Sequence, residues 1–233
     1  MRIRSILNKK GVTLIELLVV LVITAITMAG VYRVFVSQTK TYAVQDQVME
    51  VQQSVRGAME ILLRDLRMTG FDDDNVNSDV TIASPLVTPV QASDITINYE
   101  YYDRTLTTEA QKYQSHLVRY WRDGGTSRLM RQLTVDAVAR PAEAILENVS
   151  ALSFTYGIDR DNDEIMDDQN GNGQIDSNDW LTAAGVVALG NPKVVAINVS
   201  VTGRSDQTNA DVSKVISPRT LVSAVTLRNL SLR

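Results

Sequence analysis

Cysteine is missing from all 233 residues, so no disulfide can staple a loop or tie a terminus in this chain. Histidine occurs once, at position 116. With no thiol, one imidazole and no nucleophile motif, the residues point away from hydrolytic or redox chemistry, and we expect no enzyme. Proline is absent from residues 12 to 84, which leaves room for an uninterrupted helix. Basic clusters of the kind that hold a nucleic-acid backbone are also missing. The formal net charge is −4. Without Arg2, Arg4, Lys9 and Lys10 the remainder carries −8, so no nucleic-acid partner is expected.

What the chain does have is a long apolar run. From Val12 to Tyr32 the only charged residue is Glu16. At 1.5 Å per residue this run would span about 31 Å as a helix, the thickness of a bilayer core. A secretory signal has a shorter apolar core ending in a small-x-small cleavage site, and Thr27-Met28-Ala29 is a poor version of one. A plain membrane anchor fits the length but leaves Glu16 unexplained, because a carboxylate in lipid is costly. The basic residues before the run place the N-terminus in the cytoplasm and the bulk of the chain outside.

The stretch Lys10-Gly-Val-Thr-Leu-Ile-Glu16 resembles the cleavage and methylation motif of type IV prepilins and type II secretion pseudopilins. The resemblance implies cleavage after Gly11 by a prepilin peptidase, N-methylation of the new terminus at Val12, and a special role for Glu16, the fifth mature residue. Val12 stands where the family usually has Phe. The implied role of Glu16 has a physical basis. A terminal amine has a pKa near 8 and is cationic at neutral pH. In a filament core an amine and a carboxylate would each be costly alone and tolerable as a pair. Glu16 of one subunit would then neutralise Val12 of its neighbour and set the axial register.

Beyond Arg33 the helical pattern continues. Val44, Val48, Val51, Val55, Met59, Leu62 and Leu66 recur at intervals of three or four. The spacing predicts one helix from about residue 13 to Met68, its first half in the membrane, its second amphipathic, with Gly70 as C-terminal cap. Arg64, Asp65 and Arg67 read as a solvated face with ion pairs. A polar connection over 71–94 carries Pro85 and Pro89 and one short strand near Val80. Strand patterns follow at 94–102, 116–122, 128–134, 145–156, 194–202 and 220–228, with a hairpin signal at Asp123-Gly-Gly-Thr126. His116, Trp121, Trp180 and the tyrosines at 99, 101 and 102 read as core and sheet-face residues. The expected fold is α+β and pilin-like: a long N-terminal helix packed on a mainly antiparallel β-sheet head. In domains, this gives a leader at 1–11, a helix at 12–69 (12–33 in the membrane or filament core, 34–69 amphipathic) and a head at 70–233. The segments Ala58–Gly70, Leu146–Tyr156 and Val225–Asn229 resemble PilW-like minor pilins and the related GspJ pseudopilins. Many members of the family close a C-terminal loop with a disulfide, which this chain cannot do.

Between the fourth and fifth of these later strands, an insertion at 157–193 holds Asp159 to Asp179, with eight acidic residues and one Arg. Such a loop repels itself without a counterion. Calcium takes hard oxygen ligands from alternate positions of a twelve-residue loop with Gly at the sixth. Read from Asp168, that pattern has Asp168, Asn170 and Asn172 at positions one, three and five and Gly173 at six. Gln174 at seven offers its carbonyl, with Asp176 at nine and Asp179 at twelve. This resembles an EF-hand or dockerin-type loop without the flanking EF helices. A partial second array has Asp159, Asp161, Asp163, the Ile165 carbonyl and Asp167, with Glu164 where Gly is usual. We expect a structural calcium ion in place of the missing disulfide; the alternative is a solvated loop rich in Asx turns.

The function the resemblance implies is that of a minor pilin, processed at the inner membrane and taking part in assembly or priming of a type IV pilus. The alternatives are a GspJ-like minor pseudopilin of a type II secretion system, or a calcium-dependent filament-borne adhesin. The implied partners are the prepilin peptidase, other major and minor pilins and the inner-membrane assembly platform. The implied location is a single-pass inner-membrane protein with a cytoplasmic N-terminus and periplasmic head, then the filament.

Overall fold

The computed structural model describes residues 11–73, 78–205 and 216–231. The leader basics Arg2, Arg4, Lys9 and Lys10 lie outside the described residues. The chain forms two units, Met1–Asp46 and Gln47–Arg233. Helix α1, Leu14–Met68, supplies both, as the proline-free sequence predicts. In the first unit every residue from Gly11 to Phe35 is exposed, including Leu14, Leu21 and Ile26. So continuous an apolar surface needs lipid or protein around it. Among the described residues, α1 is the one helix long and apolar enough to cross a bilayer.

In the second unit most of the predicted stripe is the helix's buried face: Val51, Val55, Met59, Leu62 and Leu66 enter the core, joined by Ala58, while Val48 is only half-buried. Leu62 and Leu66 are fully buried, worth about 1.5–3 kcal/mol each. The helix stops where expected, and the φ of +74° at Gly70 is a left-handed conformation that glycine adopts without strain. Its N–H does not turn back on the helix but donates to the Asn98 carbonyl at 2.9 Å. The last helical carbonyls are covered from the far end of the chain, because Asn229 Nδ2 donates to the carbonyls of Arg67 and Thr69 at 3.1 and 3.3 Å. These bonds tie the C-terminal segment to the helix without a disulfide.

The strands form two antiparallel sheets rather than the single sheet the pattern suggested. The first has β1 (Asp94–Tyr102), β2 (Tyr113–Asp123), β3 (Arg128–Val135) and β4 (Val138–Ala139) in sequence order, with β5 (Glu143–Leu146) also paired to β3. A short helix, α2 (Glu109–Lys112), precedes β2. The second sheet has the order β6 (Val149–Asp159), β7 (Lys193–Gly203), β8 (Arg219–Thr226). It also carries α3 (Ala183–Ala188) before β7 and α4 (Arg228–Ser231) after β8. The run 145–156 breaks at Glu147-Asn148, where Asn148 has a φ of +54° and turns the chain out of one sheet into the other. Both sheets send their inner faces to the same core as α1. The hairpin forms as predicted, with Asp123 paired to Arg128 and its carboxylate accepting from the Gly125 N–H at 3.1 Å.

Two expectations are corrected. The strand near Val80 does not form. There, side chains take the backbone donors instead: Val80 N–H donates to Ser78 Oγ and Ile82 N–H to Asp72 Oδ2, both at 3.1 Å, the local competition typical of Ser and Asp. The sheet edge is met later, by a bridge from Leu86 to Ile97. Asp65 is not on a solvated face. It is buried, and its Oδ2 accepts from Tyr120 Oη at 2.6 Å and Arg131 Nε at 2.9 Å. Burial, and then the Asp65 carboxylate, push the Tyr120 phenol pKa well up, which keeps the hydroxyl a donor. Arg131 also reaches Glu143 at 3.0 Å, so one network joins α1 to three strands.

Two glycines near this face differ in kind. A Cβ on Gly203 would come within 2.5 Å of Val55 Cγ2, so the end of β7 approaches α1 only because that position has no side chain. A Cβ on exposed Gly57 would meet nothing within 4 Å. Replacing Gly57 with Ala should therefore stabilise the second unit by about 0.5–1 kcal/mol through helix propensity alone. Thermal unfolding of the purified full chain in detergent, followed by near-UV circular dichroism, would show this as a raised midpoint.

Candidate functional site

Two regions carry the residues singled out from the sequence. The first is the start of α1. Thr13 caps the helix: its Oγ1 accepts from the Glu16 N–H at 3.3 Å, and its carbonyl accepts from the Leu17 N–H at 3.2 Å. Thr13 and Glu16 thus stand at the Ncap and N3 positions of a capping box, a signal legible in the Thr-x-x-Glu spacing. Gly11 and Val12 precede the helix as exposed, non-helical chain. An exposed, non-helical backbone before a helix is accessible to a protease.

The second region is the acidic loop, held at both ends by the second sheet. It leaves β6 at buried Asp159. On the way, Asp167 N–H donates to the Ile158 carbonyl at 2.8 Å, and Met166 lies over Gly157. It returns at Leu181, which exchanges backbone bonds with Tyr156 at 2.9 and 2.8 Å. Thr182 then caps α3 by accepting from the Gly185 N–H at 3.2 Å.

Within the loop the two arrays adopt the same local conformation nine residues apart. Asp168 accepts from the N–H of Gly171 at 2.7 Å and of Gly173 at 2.5 Å. Asp159 accepts from the equivalent Asn162 at 2.7 Å and Glu164 at 3.1 Å. Asn170 and Asn172 accept from the N–H two residues on, at 3.0 and 2.7 Å. Asp161 and Asp163 do so at 3.2 and 2.9 Å, the latter from Ile165. The left-handed positions also correspond: φ is +71° at Gly171 and +61° at Asn162, then +79° at Gly173 and +70° at Glu164. Glu164, which lacks the freedom of the glycine expected there, takes the same backbone conformation as Gly173.

The structure places the remaining predicted residues as follows. Asp179 is fully buried and closes its array on itself: Oδ1 accepts from Gln169 N–H at 2.8 Å and Oδ2 from Asp176 N–H at 2.7 Å. Asp176 accepts from Asn172 Nδ2 at 2.9 Å and from Asn178 N–H at 2.7 Å. Gln174 and Ile165 are exposed at the seventh positions. Carboxylates converge at the array without glycine: oxygens of Asp159, Asp161 and Asp167 lie within 4.8 Å of one another. Two cations sit beside them, Arg160 Nε at 2.9 Å from Asp167 and Lys193 Nζ at 3.8 Å from Asp159. Lys193 opens β7, and its part in the loop was not legible in the sequence. Asp161 accepts the Asp163 N–H, which lowers its pKa, but desolvation and the charges of Asp163, Asp167 and Asp159 prevail and raise it. At Asp168 desolvation pushes upward, yet the N–H groups of Gly173, Gly171, Asn172 and Asn170 hold the carboxyl below its usual value. An array whose donors are hard oxygens alone, with one self-repelling carboxylate set, fits a divalent cation of the calcium type.

The comparisons with known families fall on these same regions. Residues 6–32 match the prokaryotic N-terminal methylation motif. Residues 118–228, from β2 through the acidic loop to α4, match the type IV pilus-assembly protein W family. No curated protein and no solved structure matches the chain. The prepilin-type leader motif on an apolar, exposed helix and the PilW region over most of the β-sheet unit together support a type IV pilin-like minor pilin.

Proposed function

We propose that this protein is a minor pilin of a type IV pilus that acts in pilus assembly or priming. The observation that carries the reading is the leader motif at the head of a helix whose residues 14 to 35 are all exposed. That apolar surface suits a bilayer before assembly and neighbouring helices after it. In this reading the prepilin peptidase cuts between Gly11 and Val12, Val12 is N-methylated, and Glu16 pairs with the terminal amine of an adjacent subunit. The N-terminus faces the cytoplasm and the sheets lie in the periplasm, then in the filament. The PilW match favours a pilus over a type II secretion pseudopilus. Mass spectrometry of the mature N-terminus tests the class: a chain beginning at methylated Val12 is expected, and an uncut chain, or one cut near Ala29, would overturn it.

We further propose a structural calcium ion in the acidic loop. Asp159, Asp161 and Asp167 support it by their convergence. Asp168, Asn170, Asn172, Gln174, Asp176 and Asp179 support it by the matching conformation of their array. Bound calcium would neutralise the loop and tie β6 to β7. The purified full chain in detergent should melt higher in millimolar calcium than in chelator. An ion at about 100 times its dissociation constant stabilises by about 2.7 kcal/mol. Asp161→Ala and Asp168→Ala tell the two arrays apart, since only a change to a ligand of the bound ion removes the gain. An unchanged melting temperature for the wild-type chain would end the calcium reading.

A further inference from the structure

The long outer strands of the two sheets differ in how their edges are covered. Along β1, Val87 N–H donates to the Thr96 carbonyl at 3.0 Å, Asn98 N–H to the Pro85 carbonyl at 2.7 Å and Glu100 N–H to the Phe71 carbonyl at 2.8 Å. Along β6, Phe154 N–H donates to the Ala92 carbonyl at 2.8 Å, and Tyr156 exchanges bonds with Leu181. Strand β8 pairs with β7 on one side, and among the described residues no segment bonds to its other side. An unpaired row of N–H and C=O groups templates a further strand, so natural proteins guard such edges with charge, proline or a bulge. Strand β8 has no such guard. No charge and no proline lies between Thr220 and Leu227, and its ladder with β7 runs from Gly203–Arg219 to Ala196–Thr226 without a shift.

The register identifies the free groups. Leu227 N–H donates to the Val195 carbonyl at 2.8 Å, next to the Ala196–Thr226 pair. Facing residues of an antiparallel pair alternate between bonded and non-bonded, so Leu221, Ser223 and Val225 direct their backbone groups to β7. Those of Thr220, Val222, Ala224 and Thr226 point out from the free edge. The side chains of these residues are exposed as well, Val222 to 55%. A row of this kind is satisfied in full only by another strand. Thr220-Leu-Val-Ser-Ala-Val-Thr226 carries like residues at equal distances on either side of Ser223. Thr220 mirrors Thr226, Leu221 mirrors Val225, and Val222 mirrors Ala224. An antiparallel two-fold pair sets mirrored positions face to face, so this strand is complementary to itself.

We infer that β8 pairs antiparallel with β8 of a second copy of this chain, about a two-fold axis at Ser223. Thr220 then faces Thr226 of the second copy and Val222 faces its Ala224, so the outward N–H and C=O groups of all these residues find partners. On the opposite face half-buried Leu221 meets Val225 of the second copy. The Thr202–Thr220 hydroxyl contact at 2.8 Å continues to the facing threonine, a pairing that stabilises sheets. The two three-stranded sheets become one. Because the same strand lies on both sides, the contact is isologous and closes as a dimer. It uses the second unit alone, and it holds whether or not the leader is cut.

With no cysteine in the chain, one substitution reads the contact. Facing residues of a non-bonded pair have Cα atoms about 4.5 Å apart, within disulfide reach. Position 219 would lie about 27 Å from its own counterpart across the axis. Two differently tagged full-length chains, both with Ser223→Cys, are co-expressed and their membranes oxidised. The mixed disulfide is expected at about ten times the yield of an Arg219→Cys pair or more. Adding Val222→Lys guards the edge and sets two ammonium groups near each other across the axis. It should reduce the crosslink by the same factor while the near-UV circular dichroism of the chain in detergent stays unchanged. Should that spectrum be lost, Ala224→Lys, exposed at the facing position, takes its place. Light scattering of the wild-type chain in detergent should give a dimer, and of the lysine variant a monomer. No mixed disulfide at 223, equal yields from 219 and 223, a crosslink undiminished by the lysine, or a Ser223→Cys bond formed only with a different protein would each overturn the inference.

Discussion

Asp65→Ala should destabilise the second unit by about 3–5 kcal/mol, the usual cost of removing one member of a buried ion pair. The carboxylate is only 5% exposed and the Arg131 side chain 15%. Without Asp65 the guanidinium retains Glu143, which is 61% exposed and screened by water. Tyr120, fully buried, loses the acceptor for its hydroxyl. The loss therefore comes mostly from stranded groups rather than from the attraction of the pair. That mechanism makes a second forecast: Asp65→Leu combined with Arg131→Met and Tyr120→Phe should recover most of the loss, since apolar replacement of a whole buried polar group is often neutral and no hydroxyl is then left stranded. Denaturant unfolding of the full chain in detergent would measure both. Glu60→Ala, on the exposed side of the same helix, should stay within about 0.5 kcal/mol of wild type. A small effect at Asp65 would mean that water reaches the network and that the helix is held by its apolar stripe alone.

Glu16→Gln should leave cleavage and methylation intact and reduce incorporation into filaments by at least about tenfold, the effect of losing 1.4 kcal/mol or more at one contact. The choice of glutamine separates the helix-cap position seen in the structure from the register role proposed above. As the N3 member of the capping box with Thr13, Glu16 could be replaced by Gln, which serves there as well. As the partner of a cationic terminal amine it could not, because only the carboxylate carries the charge. Processing is read from the mass of the mature N-terminus, and incorporation from the ratio of sheared-filament to membrane-bound protein. Normal incorporation of the Gln variant would reduce Glu16 to a helix cap and remove the register mechanism.

Local pattern and tertiary placement contributed differently. The helix from Leu14 to Met68, the Gly70 stop, the β1, β2 and β3 strands and the hairpin at Asp123 were legible because each depends on periodicity or on neighbours in sequence. The leader motif was legible for the same reason, as was the spacing of the acidic loop. The strand expected near Val80 failed because Ser78 and Asp72 supplied acceptors that the backbone pattern does not show. Asp65 was misread because the pattern marks a lone carboxylate as solvated. Its partners, Tyr120 and Arg131, lie 55 and 66 residues away.

The sequence by itself therefore determined the long N-terminal helix, most of the strands and the order of oxygen-bearing residues in the loop, all written within a few residues of one another. Only the tertiary structure decided that the strands divide into two sheets around one core, with Asn148 as the turning point. It decided that Asn229 closes the end of α1, and that three carboxylates converge at the array without glycine, beside Lys193. Those outcomes depend on groups brought together from distant parts of the chain, where burial sets the cost of leaving any of them unpaired.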